Sequence, residues 1–444
     1  MAQQKLFIAP ATLLRGAPDI PSSKYHTLRY LLAATLADGE SHIAFPAHSD
    51  DSAALFRGCR ALGAELSWQD QQQHLLRVRG VQGGRPAANE PVTINAGNAG
   101  AVLRLLLGPA ALLPQVTFVT DHPQSLGRRP NRELLEALTT LGARYEAADA
   151  EGCLPVTIYG GRLHGGRVEI SGARSSQYVS SLLFLAPLLD EDLEIVVIDH
   201  LKSQPLIRAS LAVLQEAGII VNYDETLRHF FIAAGQRYRP CDYVVPGDYP
   251  SAAALLAVCA VATDPASELR LSRLRPGDEI GTALLDALRA MGADLHIDGD
   301  TVTLRGGRPL HSIQLDGDRL IDCIPVLVAV ACFAQGESVF YNIESLHYKE
   351  SDRINDLCTE LVRAGCKVIP QRDSIIVEGQ PEGVEGGVTV EGHNDHRLLM
   401  ALATVALRSR HGLTLTGSEH IAKSYPHYFA ELQRLGAVIK PADD

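Results

Sequence analysis

Lysine is scarce in this 444-residue chain: of 40 basic side chains only seven are Lys (Lys5, Lys24, Lys202, Lys349, Lys367, Lys423, Lys440), and the rest are Arg. Acidic residues outnumber them at 52, giving a net charge of −12, which excludes a general affinity for nucleic acid or an anionic membrane. Any anionic ligand therefore needs a local basic pocket. The eight cysteines are scattered with no CxxC and sit mostly in apolar runs, as expected of reduced, buried thiols in a cytoplasmic protein. No apolar run reaches the roughly 18 residues of a membrane span, and the first residues have no apolar signal core. There is no GxxxxGK[ST], no HExxH and no Gly-rich dinucleotide fingerprint. His393 and His396 stand three apart, but without further His or Cys at ligand spacing they do not point to a metal.

What the chain has is a repeat. Six segments carry an apolar helical stripe that runs into a glycine and then a strand-like stretch, with Gly63, Gly142, Gly218, Gly292, Gly365 and Gly436 lying 71 to 79 residues apart. Apolar residues at i, i+3, i+4 and i+7 bury one helix face, and glycine suits the left-handed position that ends a helix. A unit this long predicts a small closed α/β subdomain, longer than the repeat of common solenoids. Three plus three gives two domains, with Gln236 to Pro250 (QRYRPCDYVVPGDYP) as the expected linker and the cleft between lobes as a preferred ligand site.

Polar and basic clusters interrupt the apolar segments. PSSKYHTLR (Pro21 to Arg29) has serines suited to capping, but capping leaves Lys24 and Arg29 unexplained. NAGNAGAVLR (Asn95 to Arg104) brings Asn98, Ala99 and Gly100 to a helix start where backbone N–H groups can meet an anion, as a plain turn also would. SLGRRP (Ser125 to Pro130) offers guanidinium forks, and SSQ from Ser175 places hydroxyls and an amide before an apolar helix. Asp322 heads another apolar helix, either as a dipole partner or as a base. In YKESDR, Lys349 and Arg353 would repel at i and i+4 of a helix unless an anion lies between them. NDHR (Asn394 to Arg397) and AKSYP (Ala422 to Pro426) are read as two further helix heads. The pattern suggests two anionic ligands, with Asp322 and Glu350 handling protons.

Taken in order, the PSSK, NAG, SLxxRP, SSQ, KESDR, NDHR and AKSYP blocks resemble the enolpyruvyl transferases, and within them the group that acts on shikimate 3-phosphate. The resemblance runs from about Pro21 to Pro441. It implies a two-domain inverse α/β barrel of six βαβαββ repeats, three per domain, in which the N-terminal strand joins the C-terminal lobe: residues 1–22 with 246–444, and 23–245. It implies transfer of the enolpyruvyl group of phosphoenolpyruvate to a hydroxyl of shikimate 3-phosphate by addition and elimination. The lobes close on ligand, no metal or organic cofactor is needed, and a cytoplasmic monomer is expected. By match, the phosphoenolpyruvate site is Lys24, Gly100, Arg129, Gln177, Arg353, Arg397 and Lys423, with His396 beside it. Asp322 matches the base for the acceptor hydroxyl, and Glu350 with Lys24 the pair exchanging a proton with the methylene carbon. Ser175, Ser176, Gln177, Ser203, Arg29 and Lys349 match acceptor contacts.

The departures fall on the acceptor side: Tyr25 replaces a Ser or Thr, Leu206 a Tyr, and Ser345 an Asn. They leave room for a related phosphorylated cyclic alcohol as acceptor. UDP-N-acetylglucosamine enolpyruvyl transferase is disfavoured by the absence of its loop cysteine near Gln124. A non-catalytic phosphoenolpyruvate binder would not need Asp322 and Glu350.

Overall fold

The computed structural model describes residues 4–442. Its described strands form six four-stranded sheets of one design. In the sheet Val92–Asn95, Gln115–Val119, Val156–Tyr159, Arg144–Ala147, the first pair is parallel and the next two are antiparallel. The parallel pair requires a helical crossover, and the Gly100–Ala110 helix supplies it. The Arg132–Thr140 helix follows the second strand and the last two strands form a hairpin, giving βαβαββ.

Two compact units each hold three repeats: Ser22–Val245, and the chain up to Pro21 together with everything from Pro246 onward. Three short strands complete repeats far from them in sequence. Asp242–Val244 pairs parallel with Glu40–Ala44 to start the first repeat, and Arg15–Gly16 pairs with Glu268–Leu271 to start the fourth. Lys5–Ile8 lies between Leu413–Thr416 and Ile439–Pro441 and finishes the sixth. The stretch Gln236 to Pro250 is accordingly not a free linker. It holds that closing strand and the first turn of the Tyr249–Ala260 helix, where Pro250 sits in the first turn and needs no N–H partner.

The six repeat glycines end their helices as the pattern predicts. All six have positive φ, from +80° at Gly218 to +113° at Gly436. At the first of them Ala64 N–H bonds Cys59 O and Gly63 N–H bonds Arg60 O, and the same pair of bonds recurs at Gly142, Gly218, Gly292, Gly365 and Gly436. This is the Schellman arrangement, which turns the chain straight into the next strand; a side chain at these φ values would cost about 1 kcal/mol or more.

These glycine-ended helices are amphipathic, but the other helix of each repeat is buried nearly all round. Every residue of Tyr249–Ala260 and of Ile324–Ala331 is buried, and both pack with His396–Arg408 to form the core of their unit. In the other unit Gly100–Ala110 packs on Ser176–Leu185 at close range. A Cβ on Gly108 would lie 2.7 Å from Ser181 O, and Gly108 N–H donates to Ser181 Oγ at 2.9 Å. Burial of each Leu or Val in such helices stabilises by about 1.5–3 kcal/mol. PSSK, NAG, SSQ and NDHR lie at the N-terminal ends of these buried helices, whereas SLGRRP, KESDR and AKSYP precede the amphipathic ones.

Candidate active site

In the unit Ser22–Val245, Ser23 caps the Lys24–Leu36 helix through the N–H of His26, which places Lys24 in the first turn. Lys24 Nζ lies 3.0 Å from Asp51 Oδ2, with side chains only 12% and 4% exposed. Asp51 sits in the first turn of the Asp50–Ala61 helix, where the dipole also favours its charge. Arg29, one turn along from Tyr25, is buried and among the described residues bonds only neutral groups: Ser210 Oγ at 2.8 Å, Tyr25 O at 3.1 Å and Leu206 O at 3.0 Å. Burial pulls its pKa down to about 10. A guanidinium desolvated with no carboxylate beside it favours any anion that reaches it. Tyr25 and Leu206, the two departures in this unit, flank it and are themselves buried.

Gly100 and Arg129 meet: a Cβ on Gly100 would stand 2.5 Å from Arg129 Nη1, so glycine at the helix start leaves room for the guanidinium. Arg104 ties a second group together. Its Nη1 donates to Ser175 Oγ at 3.3 Å and Gln177 Oε1 at 3.2 Å, its Nη2 to Pro130 O and its Nε to Asn131 Oδ1. Its guanidinium also lies over the Tyr178 ring. Ser175 caps the Ser176–Leu185 helix, and Ser176 is buried beside it. Ser203 holds φ +53°, unusual for serine, and its hydroxyl does not cap the Gln204–Glu216 helix.

In the other unit a single buried guanidinium gathers three carboxylates. Arg353 Nε bonds Asp395 Oδ2 at 2.7 Å, Nη1 bonds Asp322 Oδ1 at 2.8 Å, and Nη2 bonds Glu350 Oε2 at 2.7 Å. Lys423 Nζ takes the other Glu350 oxygen at 3.0 Å. Burial alone would lower the Arg353 pKa, but Asp395, Glu350 and Asp322 outweigh it and raise it. Residues 349–353 are not helical, so the expected i, i+4 repulsion between Lys349 and Arg353 does not arise; Arg353 turns inward onto protein carboxylates. Lys349 is half-buried on the turn that carries Glu350, after the Glu344–Tyr348 turn where Ser345 Oγ is buried without a hydrogen bond among the described residues. AKSYP heads no apolar helix either. Lys423 ends the short 3-10 segment Ser418–Lys423.

Asp395 caps the His396–Arg408 helix through Arg397 N–H and is fully buried. His396 is buried beside it, its Nδ1 3.8 Å from Asp395 Oδ1. Arg397 is 2% exposed, its Nη1 is 3.9 Å from Met400 Sδ, and its Nε has no hydrogen-bond partner among the described residues. Like Arg29, it is a buried cation suited to an anion. Asp51, Arg104 and Asp395 join these groups only through the fold: Arg104 and Asp395 lie inside the NAGNAGAVLR and NDHR clusters, and Asp51 lies in none.

The family model EPSP synthase (3-phosphoshikimate 1-carboxyvinyltransferase) matches residues 8–432. A 3-phosphoshikimate 1-carboxyvinyltransferase of Deinococcus radiodurans is 44% identical over 441 residues, covering 99% of this chain and 97% of that protein. One from Burkholderia pseudomallei is 36% identical, covering 96% and 92%. Among solved structures, EPSP synthase from Acinetobacter baumannii superposes with a TM-score of 0.81 at 24% identity, over 99% of this chain and all of that one. The enolpyruvyl transferase NikO from Streptomyces tendae gives 0.78 at 19%, over 100% and 99%. These two likenesses establish the fold, the two-domain inverse α/β barrel of six βαβαββ repeats. The family model and the relatives go further: the chain belongs to the EPSP synthase (3-phosphoshikimate 1-carboxyvinyltransferase) family.

Proposed function

We propose that this chain is an enolpyruvyl transferase that moves the carboxyvinyl group of phosphoenolpyruvate to a hydroxyl of shikimate 3-phosphate and releases phosphate. The observation that carries the mechanism is Glu350, held between Lys423 and Arg353 with Asp322 on the same guanidinium. Addition requires a proton to leave the acceptor hydroxyl as oxygen bonds the central carbon, while the methylene carbon gains a proton and becomes methyl. Elimination removes a proton from that methyl as the phosphate leaves. Asp322 is suited to take the hydroxyl proton. Glu350, with Lys24, is suited to give and recover the proton on carbon, since its cationic partners fix its orientation.

Lys24, Gly100, Arg129, Gln177, Arg353, Arg397 and Lys423 are the assigned donor ligands, with His396 adjacent. Phosphate and carboxylate on one small molecule call for converging cations, and buried Arg397 is such a cation. Arg353 is largely occupied by its three carboxylates, so it acts chiefly by ordering them. Ser175, Ser176 and Ser203 are assigned to the acceptor's phosphate, Arg29 to its carboxylate, and Lys349 to its hydroxyls, with Tyr25 and Ser345 lining the pocket. Lys24 is a compact, titratable cation where Arg would be neither, in a chain that otherwise prefers Arg.

A second acceptor, another phosphorylated cyclic alcohol, is favoured by one observation, the buried Tyr25 ring where a smaller side chain is the family habit. No described helix is long and apolar enough to cross a membrane. We further propose a cytoplasmic monomer with no nucleic-acid partner, on the acidic balance and the free, mostly buried cysteines. The deciding assay is phosphate release from phosphoenolpyruvate with shikimate 3-phosphate, with UDP-N-acetylglucosamine, and with neither. Release only in the first confirms the reading; release only in the second replaces it.

A further inference from the structure

His393 belongs to none of the groups above, although it is two residues from Asp395. Its ring lies against the Asn355–Arg363 helix, with Nε2 3.0 Å from Glu360 Oε1 and Nδ1 4.0 Å from Asp356 Oδ1. Glu360 is itself buried, its side chain 3% exposed, and serves as an anchor: it accepts from Glu391 N–H at 3.1 Å and from Arg363 Nη1 at 3.0 Å. Arg363 Nη2 then holds Thr389 O at 2.8 Å. The strand Val388–Glu391 and the turn after it are thus tied to one carboxylate.

That turn is strained. His393 and Asn394 have φ +48° and +56°, two consecutive non-glycine residues in the left-handed region, each costing of order 1 kcal/mol or more. Asp395 N–H closes the turn on Gly392 O at 2.8 Å, and Asp395 then caps the His396–Arg408 helix and grips Arg353. A side chain that fixes this turn therefore fixes the place of Asp395, and through Arg353 the place of Asp322 and Glu350.

We propose that His393 is a positioning residue: tethered to Glu360, it locks the His393–Asn394 turn and so sets Asp395 against Arg353. The kinetic consequence rests on the transferase reading above, whereas the tether itself does not. In the full chain, His393→Ala and His393→Gly are expected to lower kcat about tenfold while the acceptor KM, which also draws on Ser175, Ser176, Ser203 and Arg29 of the other unit, changes by less than about threefold. His393→Gln, whose amide can still donate to Glu360, is expected within about twofold of wild type. Glycine separates tether from strain, since it relieves the φ cost; a turn that merely stored strain would gain from it. Amide exchange of residues 395–399 is expected to quicken in the Ala and Gly variants and not in Gln, whatever the substrate. If His393→Ala does not fold, the Gly and Gln pair carries the comparison. Wild-type kcat in the Gly variant, Gln as slow as Gly, or unchanged exchange each overturns the proposal. A wild-type protein inactive with shikimate 3-phosphate sinks the transferase reading and leaves the exchange test standing.

Discussion

Lys423 Nζ and Arg353 Nη2 hold opposite oxygens of Glu350, at 3.0 Å and 2.7 Å. A carboxylate gripped from both sides is fixed in orientation, and on the proton-transfer role proposed for Glu350, removing it should cost chemistry more than binding. Glu350→Ala is expected to lower kcat at least about 100-fold while KM for phosphoenolpyruvate changes little. Phosphate release under saturating substrates checks this, and a fully active variant would remove Glu350 from the mechanism.

Lys24 and Asp51 form the corresponding buried pair in the other unit. Lys24→Met strands the Asp51 charge and is expected to cost about 3 kcal/mol of stability along with nearly all activity. Adding Asp51→Asn should restore the melting temperature without restoring turnover. Thermal melts and phosphate release on the single and double variants separate the two effects; recovered turnover in the double variant would mean Lys24 serves only the fold.

Gly100→Ala pushes a methyl to within 2.5 Å of Arg129 Nη1. Because the displaced atom is the far end of a flexible side chain, the expected effect is on the ligand and not on the fold: KM for phosphoenolpyruvate rises about tenfold or more, with the melting temperature nearly unchanged. An unchanged KM would place Arg129 outside the donor site.

Tyr25 packs beside the Arg29 guanidinium, whose Nη1 donates to its carbonyl. If the ring crowds the acceptor pocket, Tyr25→Ser, which restores the family's smaller side chain, should lower KM for shikimate 3-phosphate about tenfold and leave KM for phosphoenolpyruvate alone. Initial rates varying each substrate in turn decide it. Equal changes in both would assign Tyr25 to packing around Lys24.

The repeats and their helix ends could be read from the chain because their causes are local: an apolar stripe, then a glycine that accepts positive φ. The strands that join distant parts could not. Arg15–Gly16 and Asp242–Val244 are two and three residues long, too short to show an alternating pattern, and what defines them is a partner strand far away in the chain. The same distinction divides the candidate site. Lys24, Asp322 and Glu350 stand out by residue type at segment starts, whereas two of the carboxylates that hold Arg353 are not legible from its surroundings, because Asp322 and Asp395 lie 31 and 42 residues away. Asp51 and Arg104 have ordinary sequence surroundings, and only the fold gives them Lys24 and the Ser175–Gln177 pair as neighbours.

The strand Lys5–Ile8, sandwiched between Leu413–Thr416 and Ile439–Pro441, sets a timetable for synthesis. On the ribosome the unit Ser22–Val245 has all its strands once Val244 has emerged and can close while the rest is still being made. The other unit must keep Arg15–Gly16 waiting through about 250 residues of translation, and Lys5–Ile8 through about 400. A pairing so distant is slow to find, so the early segment is where a chaperone would be needed most.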